Sequence, residues 1–220
     1  MTDTAISKEP AEPFWTRVRA ALGAMRPVRQ ERAPAYGQAA IARSMGMKPK
    51  LGARIEEELS QGWSHCAARH VSMSLVVIEI DRFADYFTAY GRGEADHCLL
   101  AVMQAITTAL PREGDSCLRL GAASFVIVLP DLPALMARAI AAKIADAVRD
   151  LAMPHKESHA GIVTLSMGLA VTNPHGGYDK KFFEAAAEAL KKAQRKGMGR
   201  MEGVDLRPAL ERKRKPARAA

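Results

Sequence analysis

The sequence predicts an α/β fold: a mixed, mainly antiparallel five-stranded sheet flanked by helices. Three observations carry this. Val71 to Ile80, V-S-M-S-L-V-V-I-E-I, is a nearly continuous β-prone run, as a strand buried on both faces should be. Leu118 to Pro130, L-R-L-G-A-A-S-F-V-I-V-L-P, brings an apolar segment into Gly121 and sends a second one out from Phe125, which reads as a hairpin. Around these, runs with helical spacing alternate with β-prone runs, so helices must cover the sheet.

Taken in order, residues 1–13 hold Pro10 and Pro13 and few apolar side chains, and read as disordered. Phe14 to Met25 puts Phe14, Val18, Leu22 and Met25 at helical spacing, with Arg17, Arg19 and Arg26 off that stripe. Docking on the domain or on a protein partner is the preferred role, ahead of an anionic membrane surface, because Gly23 and Pro27 interrupt the helix. Residues 30–50 read as a linker.

From Leu51 the pattern tightens. Ile55, Leu59, Trp63 and Ala67 form a helical stripe, followed by the central strand, which ends in Glu79-Ile80-Asp81 with two carboxylates on one face. Arg82 to Tyr90 is helical, Gly91 and Gly93 mark a turn, and Glu94 to Leu110 is a helix with Leu99, Leu100, Met103 and Ile106 inward. The hairpin follows. Asp131 is placed to cap a long helix running to about Leu151, with Met136, Ile140, Ile144 and Val148 facing the core. Ile162 to Thr172 is a strand in which Gly168 signals a bulge or a close backbone approach. Phe182 to Lys196 is the last helix, stopped by Gly197, and Met201 to Val204 is a short closing strand. The expected organisation is an extension over 1–50, a domain over 51–204 and a basic tail over 205–220.

The net charge of +8 sits in the extensions. Residues 1–50 carry nine Lys/Arg against four Asp/Glu, residues 205–220 carry six against two, and the body between them carries 17 against 18. A nucleic-acid-binding body therefore loses its electrostatic footing. No apolar run approaches the roughly 18 residues of a membrane span, and the N-terminus lacks a secretory pattern, so a cytoplasmic location is expected. Cys66, Cys98 and Cys117 have no metal-ligand spacing and read as buried or half-buried thiols. His65-Cys66 with His70, and His97-Cys98, fall on separate helices, so no metal is expected there.

Several segments together resemble the diguanylate cyclase (GGDEF) domain family over residues 51–204. E-I-D-R-F at Glu79 to Phe83 stands where the family has D-I-D-x-F, and Tyr90-Gly91 with Asp96 follows. R-L-G-A-A-S-F at Arg119 to Phe125 stands where it has R-Y-G-G-[DE]-E-F. L-S-M-G-L-A at Leu165 to Ala170 stands for V-S-I-G-V-A, and K-G-M-G-R at Lys196 to Arg200 for A-G-R-N. The resemblance implies a nucleotidyl-cyclase-like palm. It also implies the family's chemistry, condensation of two GTP molecules into cyclic di-GMP with Mg²⁺ held by carboxylates.

Residue by residue, the resemblance puts the first metal carboxylate on Glu79 and the second on Ala123, which has no oxygen, with the next acid on Ser124. Asp81, Gly121, Ala122 and Phe125 complete this vestigial site. The family's phosphate-contacting cations fall on Gln194 and Met198, its guanine-binding Asn on Phe87 beside a retained Asp96, and its Lys on Ala84. Losing one preorganised charge costs orders of magnitude in rate. The expectation is therefore an inactive cyclase with no catalytic residue and no resident cofactor.

A second family motif, the inhibitory R-x-x-D that binds cyclic di-GMP, is matched by Arg112-Glu113-Gly114-Asp115 in register with Gly121. An arginine can fork onto guanine O6 and N7 while an aspartate accepts from its N1–H and amino group. A further family arginine falls on Lys143, with Arg138 as a substitute. The leading expectation is a cyclic di-GMP receptor that signals to a protein partner, by way of Phe14–Met25 or the tails. Two other readings stand beside it: a nucleotide-independent scaffold, and a GTP-binding pseudoenzyme.

Overall fold

Met73–Ile80 forms the central strand β1, and all but one of its residues are buried. In the computed structural model, residues 52–110 and 112–208 are described. The Phe14–Met25 helix, the 30–50 linker and the tail beyond Pro208 lie outside them. Helix α1 spans Ala53–Arg69, and α2 spans Phe83–Ala109. The hairpin strands are β2, Ser116–Arg119, and β3, Ser124–Pro130. Helix α3 spans Ala134–Asp150, strand β4 Leu165–Thr172, helix α4 Lys181–Lys196 and strand β5 Met201–Asp205.

The sheet order is β2-β3-β1-β4-β5. The β2/β3, β3/β1 and β1/β4 pairs are antiparallel, and β4/β5 is parallel. Because side chains alternate along β1, its two faces feed two cores. Val76, Ile78 and Ile80 pack with α2 and α3, whereas Met73, Leu75 and Val77 pack with α1 and α4. The predicted fold class stands: five strands between two helical layers.

Gly168 lies in β4 for a packing reason. A Cβ there would stand 2.1 Å from the Ala186 carbonyl oxygen and 2.2 Å from the Leu190 nitrogen, so α4 lies directly on the strand. The close approach is therefore present, and β4 pairs with β1 residue for residue across it.

Several expectations need correction. The break expected after Tyr90 is not one of these: within Phe83–Ala109, Gly91 has a non-helical φ of 79° and ψ of 177°, so α2 is two helical segments joined by a kink there. Leu100 and Met103 are exposed, since the buried stripe of α2 runs through Ala95, Cys98, Leu99, Val102 and Ile106. Asp131 is not the cap of α3: Pro133 occupies that position and no side chain caps it. Met136 is exposed too, and Ala137, Ile140, Ala141, Ile144 and Val148 form the inward stripe. Strand β4 begins at Leu165, since the residues before it serve a loop.

Candidate functional site

At the end of β1, Glu79 pairs with Ser124 on one side and Ser166 on the other. The Ile80 N–H donates to the Ala123 carbonyl at 3.0 Å, which lays the hairpin tip against this strand end. The tip itself, Gly121 to Ala123, is tightened by its flanking arginine. Arg119 Nε donates to the Gly121 carbonyl and Nη2 to the Ala122 carbonyl, both at 3.0 Å. The Ala123 methyl turns into the core with Phe125. Glu79 is half-buried, while Gly121 and Ala122 are exposed.

Asp81 does not join Glu79 as a second open carboxylate. It is buried and fully occupied: Thr164 Oγ1 donates at 2.7 Å, Ser166 Oγ at 2.5 Å and the Gly199 N–H at 2.8 Å. The side chain thus ties the end of β1 to β4 and to the turn after α4. The sequence reading missed these donors. Thr164 and Ser166 form a T-x-S step on one face of the strand entrance, a signal that becomes legible once β1 and β4 are known neighbours.

With Asp81 committed and no oxygen on Ala123, Glu79 is the carboxylate that remains here for a cation among the described residues. A divalent hard cation takes several anionic oxygens, so these residues do not fit a magnesium site. Among the described residues no group of three His, Cys, Asp or Glu is arranged to hold a metal ion.

Asp96 stands on α2, paired with Arg92 at 3.7 Å, and lines a groove of about 240 Å³ with Leu99, Leu100, Met103, Arg119 and Phe125. Phe87 is half-buried and packs against the core, Gln194 and Met198 are half-buried, and Ala84 is exposed. The outward turn of Leu100 and Met103 makes this groove apolar.

The second constellation is the turn after α2. Arg112 and Asp115 meet directly: Nη2 donates to Asp115 Oδ1 at 2.6 Å and Nε to the same oxygen at 3.1 Å. The guanidinium also donates from Nη2 to the Pro130 carbonyl at 2.7 Å and from Nη1 to the Asp131 carbonyl at 3.2 Å. The Arg112 side chain is 36% exposed and that of Asp115 is 0% exposed. The two predicted residues are therefore together, with the fork turned onto its own aspartate and the end of β3. Lys143 is exposed on α3. Arg138 does not substitute at this turn. Its guanidinium lies over Gly203 of β5, with Nη2 2.8 Å from where a Cβ would stand, at the other side of the sheet from β3.

The three thiols are buried or half-buried. Burial pushes Cys98 and Cys117 up to about 11 and also raises Cys66, which leaves them poor nucleophiles.

The sequence profile of the family described as diguanylate cyclase, GGDEF domain, matches residues 53–200. The chain belongs to the GGDEF family. Diguanylate cyclase DosC of Escherichia coli is 27% identical to this GGDEF chain over 139 residues, which cover 63% of the chain and 30% of DosC. The chain thus matches less than a third of that relative's length. Among solved structures, the GGDEF domain of DgcB from Caulobacter crescentus in complex with c-di-GMP superposes with a TM-score of 0.61 at 20% identity. That alignment covers 68% of this chain and 87% of the DgcB chain. The diguanylate cyclase SiaD with its activator SiaC, from Pseudomonas aeruginosa, gives 0.59 at 20% identity over 87% of this chain and 72% of that one. Both are likenesses of fold. No helix among the described residues is long and apolar enough to cross a membrane.

Proposed function

We propose that this GGDEF domain reads cyclic di-GMP and does not make it. The observation that carries the proposal is the hairpin tip. Where it lies against the end of β1, it offers a methyl group and carbonyls capped by Arg119. Cyclisation of GTP needs a cation grip on the triphosphate, and a site with one open carboxylate gives little electrostatic stabilisation to the developing charge.

For the reading of the dinucleotide, the support is that Arg112 and Asp115 share one turn and already touch, with the arginine partly open to solvent. Binding would exchange the Arg112–Asp115 bonds for bonds from the fork to guanine and from guanine to the carboxylate. This exchange costs part of the binding energy, since the free turn is already satisfied. Lys143 would supply charge to a phosphate without a planar fork. A population shift on binding would then be passed to a protein partner.

One observation favours a second reading. The Asp115 side chain is wholly buried, and every guanidinium nitrogen of Arg112 already donates to the protein. On that reading the pair is a structural tie and the domain is a nucleotide-independent scaffold.

Titration calorimetry with cyclic di-GMP and with GTP, on the wild type and on Arg112→Lys, separates the two. Heat with cyclic di-GMP that is lost in the variant supports the receptor. Silence with both ligands supports the scaffold, and heat with GTP alone supports a GTP-binding pseudoenzyme. Conversion of GTP to cyclic di-GMP by the pure protein would overturn the first half of the proposal.

A further inference from the structure

The Arg112 turn is tied to the opposite helical layer through one residue. Arg112 follows α2, which packs on one face of the sheet, while α1 packs on the other. Between them stands Asp131, the residue after β3. Its carbonyl accepts from Arg112 Nη1 at 3.2 Å, and the Pro130 carbonyl before it accepts from Nη2 at 2.7 Å. Its N–H donates to the Cys66 Sγ of α1 at 3.3 Å. Its carboxylate lies 3.6 Å from Arg69 Nη1 in the last turn of the same helix. Asp131 therefore holds the fork with one group and α1 with two others.

Asp131 keeps this position in a left-handed conformation, with φ of 51°. Residues with a Cβ rarely adopt it, although aspartate tolerates it better than most. His70, which ends α1, is left-handed too, with φ of 54°, and its N–H donates to the Ala67 carbonyl at 3.3 Å. The Val71 N–H donates to the Cys66 carbonyl at 3.1 Å, so the residue whose sulfur receives Asp131 also fixes the exit of the helix. Such conformations persist where the surroundings over-determine them, and they concentrate at switch regions. Two guanidiniums only donate and cannot hydrogen-bond to each other. Beyond like-charge repulsion, any dependence of Arg112 on Arg69 therefore passes through Asp131.

We propose that Asp131 is a positioning residue that couples the Arg112 site to the C-terminal turn of α1, a coupling that serves ligand signalling if Arg112 is the receptor proposed above. A ligand that draws the fork off the Asp131 carbonyl loosens the grip of Asp131 on Cys66 and Arg69. The state of the turn then crosses the sheet and leaves by way of α1. Linkage makes the coupling reciprocal, so weakening the ties to α1 eases release of the fork.

The test uses the full chain in two arms. The first needs no ligand: a double-mutant cycle of Arg112→Lys and Arg69→Ala, read by urea unfolding. Lysine keeps the charge and loses the fork, so direct repulsion cancels in the cycle. Arg69→Ala should lower the folding equilibrium constant several-fold less in the Arg112→Lys background than in the wild type. Additive effects would overturn the coupling. In the second arm cyclic di-GMP is titrated, with amide shifts and calorimetry as readouts. Binding should shift the amides of Cys66, Arg69 and His70, and Arg69→Ala and Asp131→Asn should each bind several-fold more tightly. Asparagine is chosen because it tolerates the left-handed backbone and removes only the ion pair. Binding that leaves these α1 amides unmoved, or equal affinity in both variants, would overturn the coupling and leave the receptor standing. A non-additive cycle in a wild type that ignores the dinucleotide would support the coupling and sink the receptor reading.

Discussion

Asp81 shows how a residue of a resembled catalytic stretch serves the fold. A buried carboxylate that receives three donors from β4 and the α4–β5 turn cannot be replaced without leaving those donors unpaired. Asp81→Asn keeps one acceptor and turns a donor toward donors, so it should cost on the order of 3 kcal/mol in urea unfolding. An unchanged midpoint would show that the clamp contributes nothing. Ala123 sets the complementary experiment. At 9% exposed its methyl belongs to the core, so Ala123→Glu forces a carboxylate into apolar surroundings. That variant should be less stable than the wild type and should still make no cyclic di-GMP from GTP and Mg²⁺ in a chromatographic assay. Gln194 and Met198 remain, by the resemblance, where cations would be needed. Turnover by this single variant would mean that the missing cations are dispensable for cyclisation.

At the scale of elements, legibility followed periodicity. Strand β1 and the hairpin were readable because β-branched and aromatic residues run without interruption, and Gly168 was readable because a glycine inside such a run marks a close approach. Replacing it by alanine drives a methyl into the α4 backbone at Ala186 and Leu190, where no side chain can yield. Gly168→Ala should therefore cost about 1–3 kcal/mol through overpacking, measured as a lowered unfolding midpoint. The inward faces of α2 and α3 were misread because both helices are apolar over more than one stripe. Leu100, Met103 and Met136 fit helical spacing as well as the true core residues do. The helix cap at Asp131 was misread because its carboxylate lies 3.6 Å from Arg69, a partner distant in sequence. Strand β5 carries its own pH dependence. Hydrogen bonds from Lys196 and Lys192 hold the Glu202 carboxyl below its ordinary value of 4.5. A depressed folded-state value contributes stability above the unfolded value, and that contribution is lost as pH falls through the folded one. The tie between α4 and β5 should therefore loosen as the pH falls below the ordinary value of 4.5, seen as lower amide protection factors, corrected for the intrinsic exchange rate at each pH, at Glu202 and Val204 than at neutral pH.

At the scale of the whole molecule, the domain divides into a sheet end where catalysis would require charge and a turn where ligand reading would require a free fork. The missing charge could be read from the motif, but the state of the fork could not. R-x-x-D specifies two residue types at a spacing, but the Pro130 and Asp131 carbonyls that occupy the fork come from the far end of β3. A ligand that binds only the folded state raises stability by an amount set by its concentration over Kd, about 2.7 kcal/mol at a hundredfold excess. Cyclic di-GMP should thus raise the thermal midpoint of the wild type in a concentration-dependent way, whereas GTP should not. Arg112→Lys tests the same fork from the protein side. It keeps one charge beside the buried Asp115 and loses the planar geometry, so the ligand-induced rise should disappear while the ligand-free midpoint falls. If the variant loses stability and the wild type shows no rise with the dinucleotide, Arg112 is a tie between the turn and β3, and the scaffold reading replaces the receptor.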